Sequence, residues 1–484
     1  MNVLADVYEF SMCATASSLR EVMAHDRAHV TPLADIALRA VASAFDSDVQ
    51  GAISLLRYGV VNAPATDGES AYLRDLLIMH LTSTGAFDEA ERVFRECAAL
   101  PPRLAPAFSS LHSVLKAVTG DVAASRNLAR NAIASARQLD APLVLGRVLS
   151  RCALAGYYRG DYDDAREIAL EGVHLFESRG AFASACTVYS VAAAVAQDWN
   201  RDSTLAAAHY SRMIEHAERS GHNAMRRSAL AGAFLVAAEA YDRKAYADFR
   251  KRLVARPERE QHQENYCLLL ANVLGLGWDG KFQAAEAALT AYAATSDNTA
   301  PQAALVEALL ALTAAAGWDV ELARARSRSA LRRTAGYQKH EPLYDQRYRE
   351  IARVLAAATC FIIGDTIRGQ RALSGRFDAG QRYVTLLTAP SIDLDQCSEV
   401  FRGYAKFIEG SAAAANAARP RYRLTPAELQ VLRALPHGST IAALAVDLKK
   451  SKSTIARQVE SIYGKLGARN RAHAVQIARE LGVT

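Results

Sequence analysis

Between Ser451 and Gly467 two sets of residues interleave at helical spacing. Ile455, Val459, Ile462 and Leu466 recur on one side. Lys452, Ser453, Ala456, Arg457, Glu460 and Ser461 fall opposite. The apolar set must be buried, so the second set faces outward. Its side chains suit the base edges of a nucleic-acid duplex. The Arg457 guanidinium can donate to guanine O6 and N7 together, Glu460 can accept from cytosine N4, and the Ala456 methyl can touch a thymine methyl. Ser453 can bond to either kind of edge. Lys452, Thr454, Gln458, Lys465, Arg469 and Arg471 surround this face and suit phosphate oxygens, which position without specifying.

Such a face works only if short helices hold it out. The punctuation for them is present. Thr425-Pro426-Ala427-Glu428 is a capping box with Pro at the first helical position. The helix it starts runs through Leu429 and Leu432 and ends at Pro436-His437-Gly438. Ser439 or Thr440 caps a second helix with Ile441, Leu444, Ala445 and Leu448 on one face. After the basic turn Lys449-Lys450, Ser451 caps the third, and Gly467 stops it. Asn470 caps a fourth, through Ala474, Val475, Ala478 and Leu481. Four short helices with a tight turn between the second and third are a helix-turn-helix arrangement.

The same run resembles the LuxR-type (GerE-type) DNA-binding domain. The resemblance rests on Leu424-Thr425-Pro426-x-Glu428-Leu429-x-Val431-Leu432, Gly438-Ser439-Thr440 with Leu444-Ala445, Leu448, Ser451-x-x-Thr454-Ile455, Ile462-x-x-Lys465-Leu466-Gly467-Ala468 and Asn470-Arg471-x-x-Ala474. It covers the whole domain in order. It implies that the third helix enters the major groove, and that the fourth pairs two domains; Val475, Ala478 and Leu481 either supply the stripe for that homodimer or pack inside the monomer. Three positions depart from the family. Ala456 stands where a basic residue is common, Gln458 where His is frequent, and Glu460 where Lys or a neutral polar residue is usual. The family's usual base contacts therefore do not transfer unchanged.

Charge is divided in the same way. The 484 residues carry 57 Lys and Arg against 51 Asp and Glu. Residues 421–484 hold eleven of the basic residues and four of the acidic ones, leaving 46 against 47 for the rest. A small basic module on a near-neutral body is the footprint of a polyanion partner.

Residues 1–409 read as helix almost throughout. Gly85-Ala86-Phe87, Gly120-Asp121-Val122, Gly160-Asp161-Tyr162, Gly280-Lys281-Phe282, Gly317-Trp318-Asp319 and Gly364-Asp365 each precede a helix. Spacings of 35, 40 and 37 residues separate neighbours among them, and weak turns near Asn200-Arg201-Asp202 and Asp242-Arg243-Lys244 fill the long gap. In each unit a Gly adopts positive φ, an apolar residue closes the turn, an acid sits at the positive end of the next helix and a small Ala lets the pair approach. The pattern resembles tetratricopeptide repeats, and the longer arrays of MalT-type regulators. The expected fold is all-α: a tetratricopeptide-like solenoid over 1–409, a linker at 410–420 and the four-helix module at 421–484. Tyr157, Tyr158, Tyr189, Tyr210, Tyr241, Tyr266 and Tyr292 are available to line its inner face.

Other chemistry finds little support. Gly275 to Lys281 matches a phosphate-loop spacing, but Phe282 stands where a hydroxyl should bind Mg²⁺ and a helix precedes it. No metal-ligand or nucleophile constellation is present, so neither an enzyme nor a cofactor is expected. Seven dispersed cysteines fit a reducing cytoplasm, and no apolar run is long enough for a membrane span. The expectation is a cytoplasmic bacterial transcription regulator, nucleoid-associated when bound to double-stranded DNA. Its array takes a small-molecule, peptide or protein effector, with RNA polymerase as a possible contact. The alternative is a scaffold whose basic module docks on RNA polymerase or another regulator.

Overall fold

The computed structural model describes residues 3–24, 30–63, 70–97, 100–254, 262–295, 300–335, 343–373, 401–418, 424–437 and 440–480. Among these there is no strand, and the expected all-α fold is what forms. Val3–Cys13 (α1) and Ala16–Ala24 (α2) come first. Nine helix pairs follow: Pro32–Phe45 and Val49–Asn62 (α3, α4), Ser70–Ser83 and Phe87–Arg95 (α5, α6), Ala105–Val118 and Val122–Arg137 (α7, α8), Pro142–Arg159 and Tyr162–Ser178 (α9, α10), Phe182–Val195 and Ser203–Ser220 (α11, α12), Asn223–Glu239 and Arg243–Val254 (α13, α14), His262–Trp278 and Phe282–Thr295 (α15, α16), Ala300–Ala316 and Val320–Arg333 (α17, α18), and Leu343–Ile362 and Thr366–Leu373 (α19, α20). Arg402–Ala418 (α21) leads to the module helices Pro426–Ala434 (α22), Ile441–Asp447 (α23), Lys452–Leu466 (α24) and Arg471–Glu480 (α25).

The turn inside every pair holds one residue at positive φ: Ser47, Gly85, Gly120, Gly160, Arg201, Tyr241, Gly280, Trp318 and Gly364. Five of the six glycines singled out in the sequence take this role. At the sixth turn the left-handed residue is Trp318 (φ 59°), one position beyond Gly317. The two weak turns are held by Arg201 and Tyr241, which adopt a conformation that costs most side chains about 1 kcal/mol or more. Asp121, Asp202 and Asp319 cap the second helix of their pairs through backbone N–H groups. Ala90, Ala165, Ala285 and Ala323, the small residues of the pattern, are fully buried where paired helices touch.

First helices form one continuous face. α1 lies against α3, α5, α9 and α11, and α21 lies against α13, α15, α17 and α19. Every one of these eight is the first helix of its pair. The array also curls back on itself. The His222 ring stacks on Phe45 at 3.9 Å between centroids, and Arg201 pairs with Glu350 at 2.8 Å.

The stretch 410–420, read as a linker or a frayed helix end, is helix as far as Ala418. Ser411 is buried and donates to the Leu312 carbonyl at 2.7 Å. An alanine-rich run is a strong helix former, and here tertiary packing extends it. Of the seven tyrosines, Tyr157, Tyr189 and Tyr266 are buried within apolar clusters, and Tyr158, Tyr210, Tyr241 and Tyr292 are half-buried. Gly275 and Gly277 sit inside α15, where Tyr246 and Phe407 press on them, so this stretch is packed helix followed by a turn at Gly280. Among the described residues no helix is long and apolar enough to cross a membrane.

Candidate nucleic-acid interface

The module has a core of its own. Val431 and Leu432 from α22, Leu435 just after it, Leu444 and Ala445 from α23, Ile455, Val459, Ile462 and Leu466 from α24, and Ala474 and Ala478 from α25 bury one another. The stripe of the third helix meets there whole; of the second helix's stripe Ile441 is exposed, Leu429 of the first is outside this core, and Leu481 of the fourth lies outside the described residues. The caps are in place too. Thr425 and Glu428 close the capping box, with Glu428 N–H donating to Thr425 Oγ1 at 3.3 Å and Thr425 N–H donating to the Glu428 carboxylate at 2.6 Å. Thr440, rather than Ser439, receives the Ala443 N–H; Ser451 receives that of Thr454, and Asn470 that of His473. Ser439 itself lies outside the described residues. Gly467 ends α24 at φ 61°, and Lys449 takes φ 50° in the turn between α23 and α24.

This frame turns Lys452, Ser453, Thr454, Ala456, Arg457 and Glu460 outward, all exposed in the full-length chain. Gln458 is half-buried and accepts from Lys450 Nζ at 3.4 Å. The Ser453 and Thr454 hydroxyls both meet Ser451 Oγ, at 2.9 and 2.7 Å, and belong to the start of α24. A shallow polar depression of about 350 Å³ separates the start of α22 from α24, with Thr425, Ser453, Arg457 and Ser461 on its walls.

Two residues expected at phosphate have partners inside the module. Lys465 Nζ donates to both Glu428 oxygens, at 2.8 and 2.7 Å, and Ser461 Oγ donates to the same carboxylate at 2.6 Å. Burial raises the Glu428 pKa, yet these hydrogen bonds and the one from Thr425 outweigh it and hold the carboxyl down at about 2. Arg471 donates from Nε to the Leu435 carbonyl at 3.0 Å, and its Nη2 reaches the same oxygen, capping the end of the first helix. Both side chains lock the module internally. Their partners lie 37 and 36 residues away, so no local pattern announces them. Arg469 stays exposed.

Of the residues offered for dimerisation, two pack inside the module. Ala478 is 0% exposed within the module's own core, and Val475 packs against that core from its edge. Leu481 lies outside the described residues. The outward face of α25 is Ala472, Gln476 and Arg479.

Comparison with known proteins agrees with this geometry. Residues 422–478 match the family described as "GerE: Bacterial regulatory proteins, luxR family". Over 65 residues the chain is 42% identical to "Transcriptional regulatory protein YdfI" of Bacillus subtilis (strain 168), a stretch covering 13% of this chain and 30% of that protein. The chain thus spans less than a third of the length of this relative. Residues 422–478 form a helix-turn-helix domain of the luxR (GerE) family of bacterial regulatory proteins.

Proposed function

We propose that the chain is a DNA-binding transcription regulator whose helical array receives an effector or partner protein and controls the C-terminal domain. The observation that carries this reading is the exposed face of α24, held out by three capped helices in a family whose members are regulatory proteins. Arg457 is its base reader, with Ser453, Ala456 and Glu460 beside it. Lys452, Thr454, Gln458 and Arg469 contact phosphate; Lys465 and Arg471 are left to hold the module together. Binding of two modules to an inverted repeat belongs to the proposal, with an interface other than the Val475–Ala478 stripe.

The α24 face is exposed in the intact chain, so control by simple masking is disfavoured. Control through orientation is favoured, since α21, buried among first helices of the array, is the helix that precedes the module in the chain. Binding of the full-length protein to genomic fragments, sequenced after selection at several salt concentrations, tests the reading. Enrichment of a shared sequence that is lost in Arg457→Ala supports it. Weak binding that salt erases, with no shared sequence, favours the scaffold role.

A further inference from the structure

The two helices lodged on the inner face are held differently. α21 is core: Phe401 just ahead of it, with its Tyr404, Phe407 and Ile408, is buried, and Gly403 lies against the Ala238 carbonyl. α1 commits two large side chains to full burial, Tyr8 and Met12, while Val7, Phe10 and Cys13 are half-buried and Asp6 is exposed.

What α1 covers is charged. Arg151 binds Asp75 through two parallel hydrogen bonds, at 2.8 and 2.7 Å, on the buried floor between α5 and α9. Tyr8 Oη donates to the same carboxylate at 2.7 Å. Arg147 lies over the Tyr8 ring at 4.2 Å and reaches Asp75 only at 3.8 Å. Arg74 is buried beside Asp75 in sequence, and its Nε, like Arg147 Nη1, has no hydrogen-bond partner among the described residues. Two arginines, Arg147 and Arg151, therefore share one aspartate beneath the helix, while Arg74 donates to Ser70 Oγ. At the rim, Arg103 adds a further basic group, paired with Glu9 of α1 at 3.3 Å. α1 itself carries two acids, Asp6 and Glu9, and no basic residue. An acidic amphipathic helix thus sits in a basic groove, and its Ser11 and Met12 backbone meet Arg147 and Ser184.

We propose that this inner face, from α3 to α11, is a receptor groove for an acidic amphipathic helix bearing a tyrosine, and that α1 occupies it until such a helix from a partner protein takes its place. The inference deepens the effector reading above and rests on it for the array's role as receiver. The excess of arginine over aspartate supplies the attraction, which is electrostatic and salt-sensitive. The Asp75–Arg151 pair supplies specificity, because a helix without the hydroxyl leaves a buried carboxylate short of a donor. The groove spans helices of several pairs, so exchanging its occupant alters how those pairs sit together.

The test uses the full chain carrying Tyr8→Ala and a fluorescent peptide of residues 1–15 as the probe, followed by anisotropy. Saturable binding is expected. It should weaken about ten-fold when salt rises from about 50 to about 500 mM, and by a similar factor in a peptide with Asp6→Asn and Glu9→Gln. It should be lost when Arg147→Ala is added to the protein. An unrelated acidic helix with the same Tyr and Met spacing should compete. Absence of binding by a protein that keeps wild-type helicity and melting overturns the proposal. If Tyr8→Ala unfolds, Tyr8→Phe retains the ring, and failure to bind the peptide there is equally fatal. Concentration-dependent dimers that exchange α1 between copies would replace the partner with a second copy and overturn it too. Duplex binding by the same samples keeps the two readings apart: intact DNA binding without peptide binding sinks the groove alone, and the converse sinks the regulator alone.

Discussion

The Glu428 carboxylate and the Lys465 ammonium meet at 2.7 Å and join the start of the module's first helix to the end of its third. Ser461 adds a third point. The angle at which α24 leaves the module is therefore set by one carboxylate that also completes a helix cap. Glu428→Gln should destabilise the module by about 1–3 kcal/mol. Hydrogen exchange over Pro426–Leu466 would show it. The tryptophans, at 199, 278 and 318, all lie in the array and would be silent.

The same carboxylate predicts a pH dependence. Its folded pKa is about 2 against an ordinary 4.5, so the unfolded module binds the proton first as pH falls. Its stabilisation should be fully present above about pH 4.5 and disappear as pH drops toward 2. In Glu428→Gln that part of the acid transition should be missing, which a pH series of exchange rates would reveal.

Arg457→Ala and Lys465→Ala should fail in different ways. Loss of the exposed guanidinium should cost about 1–3 kcal/mol of binding at selected sites and relax preference at one base position, with the fold intact. Loss of Lys465 should lower the melting stability of the module and weaken all sequences alike. Binding measured against a panel of single-base variants distinguishes these outcomes.

The caps and stripes of the module were legible because each rests on neighbours three or four residues apart, as with Thr425 and Glu428 or Ser451 and Thr454. The roles of Lys465 and Arg471 were not, since their partners are set by how helices cross. In the array, glycine-marked turns could be read directly, whereas Arg201, Tyr241 and Trp318 take the left-handed conformation against their own preference, imposed by the pairs they join. That α1 and α21 line the inner face had no sequence signal, because an amphipathic pattern says that a face is buried and not what buries it.

Two buried histidines make the array acid-sensitive. Burial lowers His80 and His222 to about 4. His222 also accepts the Met225 N–H on Nδ1 at 3.4 Å, which requires that nitrogen unprotonated. In the unfolded chain both protonate near 6.5, so stability should fall between about pH 6.5 and 4, by up to about 3 kcal/mol for each. Denaturant melts monitored by tryptophan fluorescence across that range should steepen this loss in the wild type, and His80→Gln or His222→Gln should each flatten it.

Gly403 is where α21 touches the backbone of α13. A Cβ there would run into the Ala238 carbonyl oxygen, and one on Gly277 would run into the Phe407 ring. Gly403→Ala should cost about 1–3 kcal/mol and raise exchange in Arg402–Ala418 before the rest of the array. Unchanged protection there would mean that α21 is not seated as described.

Repeat arrays are commonly treated as one-dimensional chains of units, each coupled only to the next, so that stability adds along the row and units can be trimmed or inserted. Here Phe45 touches His222 and Arg201 touches Glu350, contacts between units four or five places apart. That breaks the additivity. Removing a unit would misalign every contact between successive turns, so evolution of this array should proceed by substitution within units rather than by gain or loss of whole ones.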